Sequence, residues 1–132
     1  VKVYTANEAL FRKQVVETAF RYMGTPYRWG GKTPLGIDCS GLVSMAYMLN
    51  GVYIFRDAKI VEGFPLRKIE RENLKPGDLI FFPGHVAMYI GNNEYIHSSL
   101  GGNEVNVNSL SLQHENYRED LATTITEYGS IF

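Results

Sequence analysis

The chain has a single cysteine, Cys39, and this scarcity excludes two kinds of site. One thiol cannot form an internal disulfide, and it cannot supply the paired cysteines of a Cys-x-x-Cys metal or redox site. Charge of one sign is also lacking, because 13 Lys and Arg residues oppose 14 Asp and Glu residues, for a formal net charge of -1. No overall field therefore attracts the chain to nucleic acid or to an anionic membrane.

Long apolar runs, repeats and low-complexity tracts are missing as well. No apolar stretch approaches the roughly 20 residues that a membrane span requires. The 132 residues, of which 45% are hydrophobic and 20% charged, have the composition of one globular domain with its own core. The first residues have neither an initiating Met nor the basic-then-apolar layout of a signal peptide. We expect residues 1–132 to be a single domain excised from a longer chain.

The sequence pattern of the N-terminal half predicts two helices. The first extends over residues 7–23, where the apolar residues recur at helical spacing: Val15, Val16, Ala19, Phe20 and Met23. Arg12, on the other side of this helix, is expected to face water. Asn7 is its expected cap, and Gly24 with Pro26 ends it. A glycine-rich loop follows, and then a second helix from Cys39 or Ser40 to Leu49. Its buried side is predicted to hold Leu42, Val43, Ala46 and Leu49.

β-strand signals dominate after residue 74. Apolar runs at residues 79–82 and 85–90 flank a Pro-Gly turn, and Gly91-Asn92-Asn93 is typical of a hairpin that leads into a strand at residues 95–98. Residues 105–107 and 122–128 are weaker strand candidates. Helices first and an antiparallel meander afterwards predict an α+β fold, with the helices packed against the sheet.

Cys39 is the first candidate for chemistry. If the second helix begins there, its positive end favours the thiolate, which is the reactive form of cysteine. The alternative is a small residue of the core, since free cysteine is among the most buried residue types. The polar neighbours Asp38 and Ser40 and the preceding glycine-rich loop favour an exposed nucleophile over a core residue.

His85 and His97 are the second element, because they lie on the two strands that flank the predicted hairpin turn and can be near neighbours across it. A thiol nucleophile needs a base, and the base needs a third group that fixes its tautomer. We assign His85 as the base and His97 as the orienting group, although the spacing alone allows the reverse. A zinc site formed by Cys39, His85 and His97 competes, but no His-x-x-x-His or paired-cysteine spacing supports it. His114, in a polar stretch, is predicted to be an exposed loop residue.

Two aromatic residues precede the cysteine in the glycine-rich loop. Tyr27 could donate a hydrogen bond to an oxyanion or to a substrate, and the face of Trp29 could pack on a ligand. A rigid connector whose aromatic side chains cover the core is the alternative interpretation of the same loop.

Five motifs, in order, resemble the NlpC/P60 cysteine peptidases. They are GTPYRWGG at 24–31, DCSGLV at 38–43, LKPGDLIFF at 74–82, HVAMYIG at 85–91 and YIHS at 95–98. The resemblance extends from Phe11 to about Val107. It implies a papain-like α+β fold and a secreted or envelope-bound hydrolase of bacterial cell-wall peptides, with no cofactor and no metal. The bond usually cleaved joins the γ-carboxyl of D-glutamate to an L-diamino acid, either diaminopimelate or lysine.

The resemblance also implies roles for individual residues. Cys39 is the nucleophile, His85 the base and His97 the third polar residue. In members that require a free N-terminal L-alanine, the position of Asp38 pairs with the substrate ammonium, and the same subsite is lined by Tyr27, Ser40 and Trp29. The expected partner is therefore the stem peptide L-Ala-γ-D-Glu-diamino acid, and N-terminal SH3-like domains are expected in the full-length chain.

The chain departs from the family pattern at two places. Ala87 stands where the family often has Gly, and residues 55–58 (FRDA) stand where it often has Pro-Arg-x-Ser/Thr, so a hydroxyl near the substrate is missing. An amidase or lipid acyltransferase on the same scaffold and a catalytically silent wall-binding domain are the rival hypotheses. No long apolar groove is visible in the sequence, which disfavours the acyltransferase. All three catalytic positions are filled, which disfavours the silent domain, so the peptidase is the leading hypothesis.

Overall fold

Two helices and a short hairpin form the N-terminal half of the protein. A computed structural model describes residues 8–33, 35–52, 54, 66–99 and 104–132. Helix α1 spans Glu8–Phe20, and helix α2 spans Cys39–Met48. Between them, β1 (Lys32–Thr33) pairs with β2 (Gly36–Ile37) in an antiparallel hairpin. The predicted cap Asn7 and the unusual segment 55–58 lie outside the described residues.

An antiparallel sheet of six strands forms the other half. The strands are β3 (Arg67–Ile69), β4 (Leu79–Phe82), β5 (His85–Gly91), β6 (Glu94–Ser98), β7 (Val105–Ser109) and β8 (Glu127–Ser130). Their spatial order is β3-β8-β4-β5-β6-β7, so β8 lies between β3 and β4. A 3₁₀ turn (Arg71–Asn73) and a short helix α3 (Glu119–Ala122) lie in the connections. Helices against an antiparallel sheet confirm the predicted α+β class.

Helix α1 buries one stripe of side chains, and this stripe agrees only in part with the predicted one. Val15 and Ala19 are buried as expected, together with Phe11 and Thr18. Phe20 and Met23 are 39% and 46% exposed, so their predicted burial is wrong. The helix ends at Phe20, and the turn that follows changes the direction of the chain, so that a different side chain, Tyr22, enters the core.

The predicted exposure of Arg12 is also wrong. Its Nη1 lies 2.7 Å from Oδ1 of Asp78 and its Nε lies 2.8 Å from Oε2 of Glu8, and only 11% of its side chain is exposed. Asp78 is 1% exposed and accepts a further hydrogen bond from the backbone N–H of Lys75. Since a buried carboxylate needs a paired charge, the ion pair between Arg12 and Asp78 fixes α1 against the turn that leads into β4.

Helix α2 begins at Cys39, as predicted, and buries Leu42, Val43 and Ala46. Leu49 is the C-cap residue and is 58% exposed, so its predicted burial is wrong. The two long helices share one core with the sheet, which contributes side chains from four strands: Leu79, Phe81, Val86, Met88, Ile96 and Val105. A smaller core lies on the opposite face, formed by Ile80, Phe82, Ala87 and Tyr95.

The hairpin between β5 and β6 has the predicted turn, since Asn92 and Asn93 have φ values of 54° and 61°. That geometry is typical of a two-residue hairpin loop. The strand predicted at residues 122–128 is wrong for most of its length, because only Glu127–Ser130 forms β8. The hydroxyls of Thr123 and Thr124 donate to the carbonyls of Glu119 and Asp120, and these bonds extend the helical turn of α3 instead. Strand β3 was not predicted.

No helix in the described segments could cross a membrane. None of them combines the length and the hydrophobicity that a bilayer crossing requires.

Candidate active site

Asp38 caps the helix that presents the cysteine. Its Oδ1 accepts a hydrogen bond from the backbone N–H of Gly41 at 2.7 Å, and its Oδ2 accepts one from the N–H of Gly30 at 2.8 Å. Aspartate at this position satisfies an N–H of the first turn that has no partner within the helix. The same carboxylate therefore fixes the start of α2 and the preceding glycine-rich loop, and it holds Cys39 at the first helical position.

Close packing explains two features of the backbone around Cys39. A Cβ on Gly41 would lie 2.3 Å from the carbonyl oxygen of Gly31, so only glycine allows the loop to approach the helix this closely. On the other side, the hydroxyl of Ser98 at the end of β6 donates to the carbonyl of Ile37 at 2.7 Å. The backbone that carries the thiol is thus held between the loop and the sheet.

The thiol of Cys39 is partly buried and surrounded by backbone N–H groups. The backbone N–H groups of Val86, Ser40 and Cys39 itself lie near its sulfur and lower its pKa. Burial raises that pKa by more, and the carboxylate of Asp38 raises it further, so the net pKa lies above the ordinary value. The helix start does favour the thiolate, as predicted, but in the free protein desolvation outweighs this effect and the thiol form is favoured.

His85 and His97 form a direct hydrogen bond, as the hairpin spacing predicts. Nε2 of His85 lies 2.8 Å from Nδ1 of His97. The two residues stand at the start of β5 and near the end of β6, two strands paired so that Met88 is opposite Ile96. His85 directly precedes Val86, whose backbone N–H lies near the sulfur of Cys39, so the start of β5 is beside the thiol.

Both imidazoles are neutral at physiological pH. Burial lowers the pKa of His85 to about 3, and the neighbouring His97 and Arg118 lower it further. Burial lowers the pKa of His97 to about 4, against the opposing effect of a hydrogen bond to Asn108. The free protein therefore combines a neutral thiol with a neutral imidazole. In that state His85 can act as a general base that removes the thiol proton as the sulfur attacks.

A hydrogen-bonded asparagine lies behind His97, and the sequence analysis missed it. Nε2 of His97 is 2.7 Å from Oδ1 of Asn108, and Nδ2 of Asn108 donates to the backbone carbonyl of Asn116 at 2.8 Å. The only signal for Asn108 was its place beside a weak strand candidate, which was predicted to end at Val107. β7 extends two residues further, to Ser109, and brings Asn108 next to β6.

The contacts of the histidines argue against the alternative zinc site. Both ring nitrogens of His97 have hydrogen-bond partners, and Nε2 of His85 has one as well. A metal bound by Cys39 and both rings would have to replace these bonds. Within the ranges that the structure describes, no group of three or more His, Cys, Asp or Glu side chains is arranged to hold a metal ion.

The other sequence-predicted site residues occupy different environments. Tyr27 is half-buried, and burial together with the nearby Cys39 and Asp38 raises the pKa of its hydroxyl, which stays protonated and can donate. Ser40 is buried, with its hydroxyl 3.5 Å from Oδ1 of Asp38. Trp29 is 89% exposed, so its ring is open to solvent and does not serve as a cover for the core.

His114 is not the exposed loop residue that its polar surroundings predict. It is half-buried, and its Nδ1 lies 2.6 Å from Oγ of Ser109, the last residue of β7. The contact joins the loop after β7 back to that strand. Its partner lies five residues earlier in the chain, so the contact depends on how the loop folds back on β7 and not on the composition around His114.

Comparison with known proteins agrees with this fold and its motifs. Residues 24–124 match the model of the NlpC/P60 family. The chain is 67% identical over 129 residues to dipeptidyl-peptidase 6 of Lysinibacillus sphaericus, covering 98% of this chain and 48% of that protein. It is 32% identical over 121 residues to a gamma-D-glutamyl-L-lysine dipeptidyl-peptidase of Bacillus subtilis, covering 83% of this chain and 38% of that protein.

A solved structure shares the fold. The crystal structure of an NlpC/P60 family protein from Bacillus cereus superposes with a TM-score of 0.74 at 30% identity, covering 89% of this chain and 39% of that one. The chain thus spans less than half the length of the relatives named here. Because the family model extends over most of the chain and includes the cysteine and both histidines of the site, the chain belongs to the NlpC/P60 family.

Proposed function

We propose that the chain is the catalytic domain of a cysteine peptidase that hydrolyses peptidoglycan stem peptides. In this proposal Cys39 is the nucleophile, His85 the general base and His97 the residue that orients His85. The observation that carries it is the position of the Cys39 sulfur near the backbone N–H of Val86, the residue that follows His85, whose ring is hydrogen-bonded to His97. The three groups satisfy the requirement for a nucleophile, a base and an orienting partner.

The proposed reaction proceeds through a thioester. The sulfur attacks the substrate carbonyl while Nδ1 of His85 takes the thiol proton, and the same proton then goes to the leaving amine. Water, deprotonated by His85, hydrolyses the thioester and restores the thiol. The backbone N–H of Cys39 and the hydroxyl of Tyr27 are the proposed donors to the oxyanion, and the raised pKa of Tyr27 keeps that hydroxyl protonated.

The proposed bond joins the γ-carboxyl of D-glutamate to an L-diamino acid, diaminopimelate or lysine. The names of the two relatives, a dipeptidyl-peptidase and a gamma-D-glutamyl-L-lysine dipeptidyl-peptidase, support this choice. Asp38 is the proposed partner of a free N-terminal ammonium. Its oxygens accept the backbone N–H groups of Gly30 and Gly41, and these bonds hold the negatively charged carboxylate in one position next to Cys39.

The proposed setting is the bacterial cell wall or envelope, with SH3-like domains N-terminal to this one in the complete protein. Trp29, Tyr27 and Ser40 are the proposed further contacts of the stem peptide. The high exposure of Trp29 supports such a contact, because its ring is open to stack on substrate or on a neighbouring domain.

The proposal is tested with synthetic stem peptides and mass spectrometry. L-Ala-γ-D-Glu-diaminopimelate and its lysine counterpart should each give L-Ala-γ-D-Glu when the γ-glutamyl bond is cleaved. Cys39→Ala should abolish turnover, and His85→Gln should lower kcat by roughly 10²- to 10⁴-fold, the usual contribution of a general base. Unchanged turnover by Cys39→Ala would overturn the mechanism.

Two further substrates separate the remaining alternatives. The N-acetylated tripeptide lacks the ammonium that Asp38 is proposed to bind, so its kcat/KM should be much lower than that of the free tripeptide. A muramyl-L-alanine amide reports an amidase. Cleavage of the amide bond with the tripeptides left intact would favour the amidase hypothesis, and no turnover of any of them would favour a silent wall-binding domain.

A further inference from the structure

The hydrogen bonds behind His97 form a chain, and the last group in this chain can only accept a hydrogen bond. That group is the backbone carbonyl of Asn116, which can accept a hydrogen bond but cannot donate one. It accepts from the N–H of Ser109 at 3.1 Å and from the side-chain amide of Asn108 at 2.8 Å. The carbonyl therefore determines which end of the Asn108 amide faces it, namely the NH₂ group.

The orientation of Asn108 then determines the proton positions on both histidines. With its NH₂ group on Asn116, Asn108 presents Oδ1 to Nε2 of His97 at 2.7 Å. An amide oxygen only accepts, so this nitrogen of His97 must carry the proton. In a neutral ring the other nitrogen, Nδ1, is then an acceptor, and it receives the Nε2–H of His85 at 2.8 Å. The remaining nitrogen of neutral His85, Nδ1, is left without a proton.

We propose that Asn108 is a positioning residue that fixes the tautomer of His97 and, through it, the tautomer of His85. All donors in the chain point away from the thiol, from His85 to His97, to Asn108 and to the carbonyl of Asn116. The arrangement keeps the basic lone pair of His85 on Nδ1. It also stabilises the imidazolium that forms when Nδ1 takes a proton, because Nε2–H then becomes a stronger donor to His97.

The segment that supplies the terminal carbonyl is itself held in place. The side-chain amide of Asn116 donates to Oε2 of Glu94 at 3.1 Å and to the carbonyl of Val107 at 3.2 Å. The latter residue lies on the same strand as Asn108, so the carbonyl that orients the amide is fixed to the strand that carries it. A loop that merely passed near β7 would not hold the carbonyl in one position.

The direct test is the tautomer, read by nitrogen NMR of protein with ¹⁵N-labelled histidine. In the wild type, His85 and His97 should both be neutral with the proton on Nε2. Asn108→Leu keeps a similar volume but removes the acceptor, and it should give His97 a mixture of tautomers. Asn106→Leu is the matched control, because Asn106 lies two residues away on β7 and its Oδ1 accepts no hydrogen bond among the described residues. This variant should keep the wild-type pattern.

A kinetic readout, which rests on the proposed peptidase function, accompanies the NMR experiment. Asn108→Leu should lower kcat at least roughly tenfold with little change in KM, since a wrong tautomer impairs proton transfer and leaves substrate binding intact. A proton on Nδ1 of His85 in the wild type, or an unchanged His97 tautomer in a folded Asn108→Leu variant, would overturn the proposal. Absence of turnover in the wild type would instead refute the peptidase function and leave the NMR result standing.

Discussion

The backbone N–H of Val86, one residue beyond His85, lies beside the sulfur of Cys39 and lowers the pKa of that thiol. This contact, with those from the first turn of α2, favours the thiolate, whereas burial favours the thiol and prevails. The free protein therefore holds the thiol of Cys39 protonated.

The first prediction concerns alkylation of that thiol. The rate of iodoacetamide labelling should rise with pH through the neutral range and reach half of its maximum above the pH at which a cysteine-containing reference peptide does so, because burial raises the pKa of Cys39. Since the chain has one cysteine, the mass of the intact protein reports this site alone. A rate that stays constant between roughly pH 5 and 8 would instead indicate a preformed thiolate–imidazolium pair.

The second prediction concerns stability in acid. Burial lowers the folded-state pKa of His97 from 6.5 to about 4, so above pH 6.5 neither the folded nor the unfolded state is protonated and this residue adds no pH dependence. As the pH falls below that value the unfolded state takes up a proton and the folded state does not, so stability decreases until the folded pKa is reached. The full decrease is about 3 kcal/mol.

Thermal unfolding checks this second prediction. Between neutral pH and about pH 4.5, Tm should fall less in His97→Asn than in the wild type, because the variant lacks the buried titrating ring. Carboxylates titrate in both proteins, so the difference between the two slopes isolates His97. Parallel slopes would contradict the assignment of a depressed pKa to this residue.

The third prediction concerns Arg118, a cation near both histidines whose Nη2 lies 2.7 Å from Oδ2 of Asp120. The positive charge lowers the pKa of His85, and the carboxylate of Asp120 raises it. Arg118→Gln should therefore move the acidic limb of the kcat/KM profile to higher pH, and Asp120→Asn should move it to lower pH. Shifts in the same direction for both variants would show that electrostatics is not the cause.

The fourth prediction concerns the ion pair between Arg12 and Asp78. Asp78→Ala should reduce the free energy of unfolding by roughly 3–5 kcal/mol, because it leaves the guanidinium without its buried partner. Lys68→Ala is the control, since its contact with Glu127 is 3.5 Å long and 73% of the Lys68 side chain is exposed. Such surface pairs contribute about 0–1 kcal/mol. Urea denaturation measures both, and equal losses would refute the difference in burial as the cause.

Local sequence signals predicted the parts of the site that depend on one turn or one helix start. The Asn92-Asn93 turn predicted that the strands of His85 and His97 pair, because such a loop is typical of a hairpin. The register shift between Tyr89 and Gly91, which completes the alignment of the two histidines, was not predicted. The start of α2 at Cys39 followed from the polar cap and the helical pattern after it. Each of these features is determined within a few residues of sequence.

Features that depend on distant contacts could not be read in this way. Asn108 acquires its role from a strand neighbour and from a loop carbonyl eight residues later. The protonation of Cys39 depends on how much protein surrounds the sulfur, and the helix dipole predicted only one of the opposing effects. In the segment after α3, β-branched threonines favoured a strand, but their hydroxyls bond the carbonyls of the preceding turn.

The position of β8 has a consequence for how the protein is made. Residues 127–130 lie between β3 and β4, although both of those strands are synthesised earlier. During synthesis, one edge of β4 therefore has no neighbouring strand until β8, the last of the six strands, emerges. Until then β3 has no partner in the sheet. The six-stranded sheet is therefore complete only after residues 127–130 have been made, and a nascent chain halted before residue 127 cannot form it.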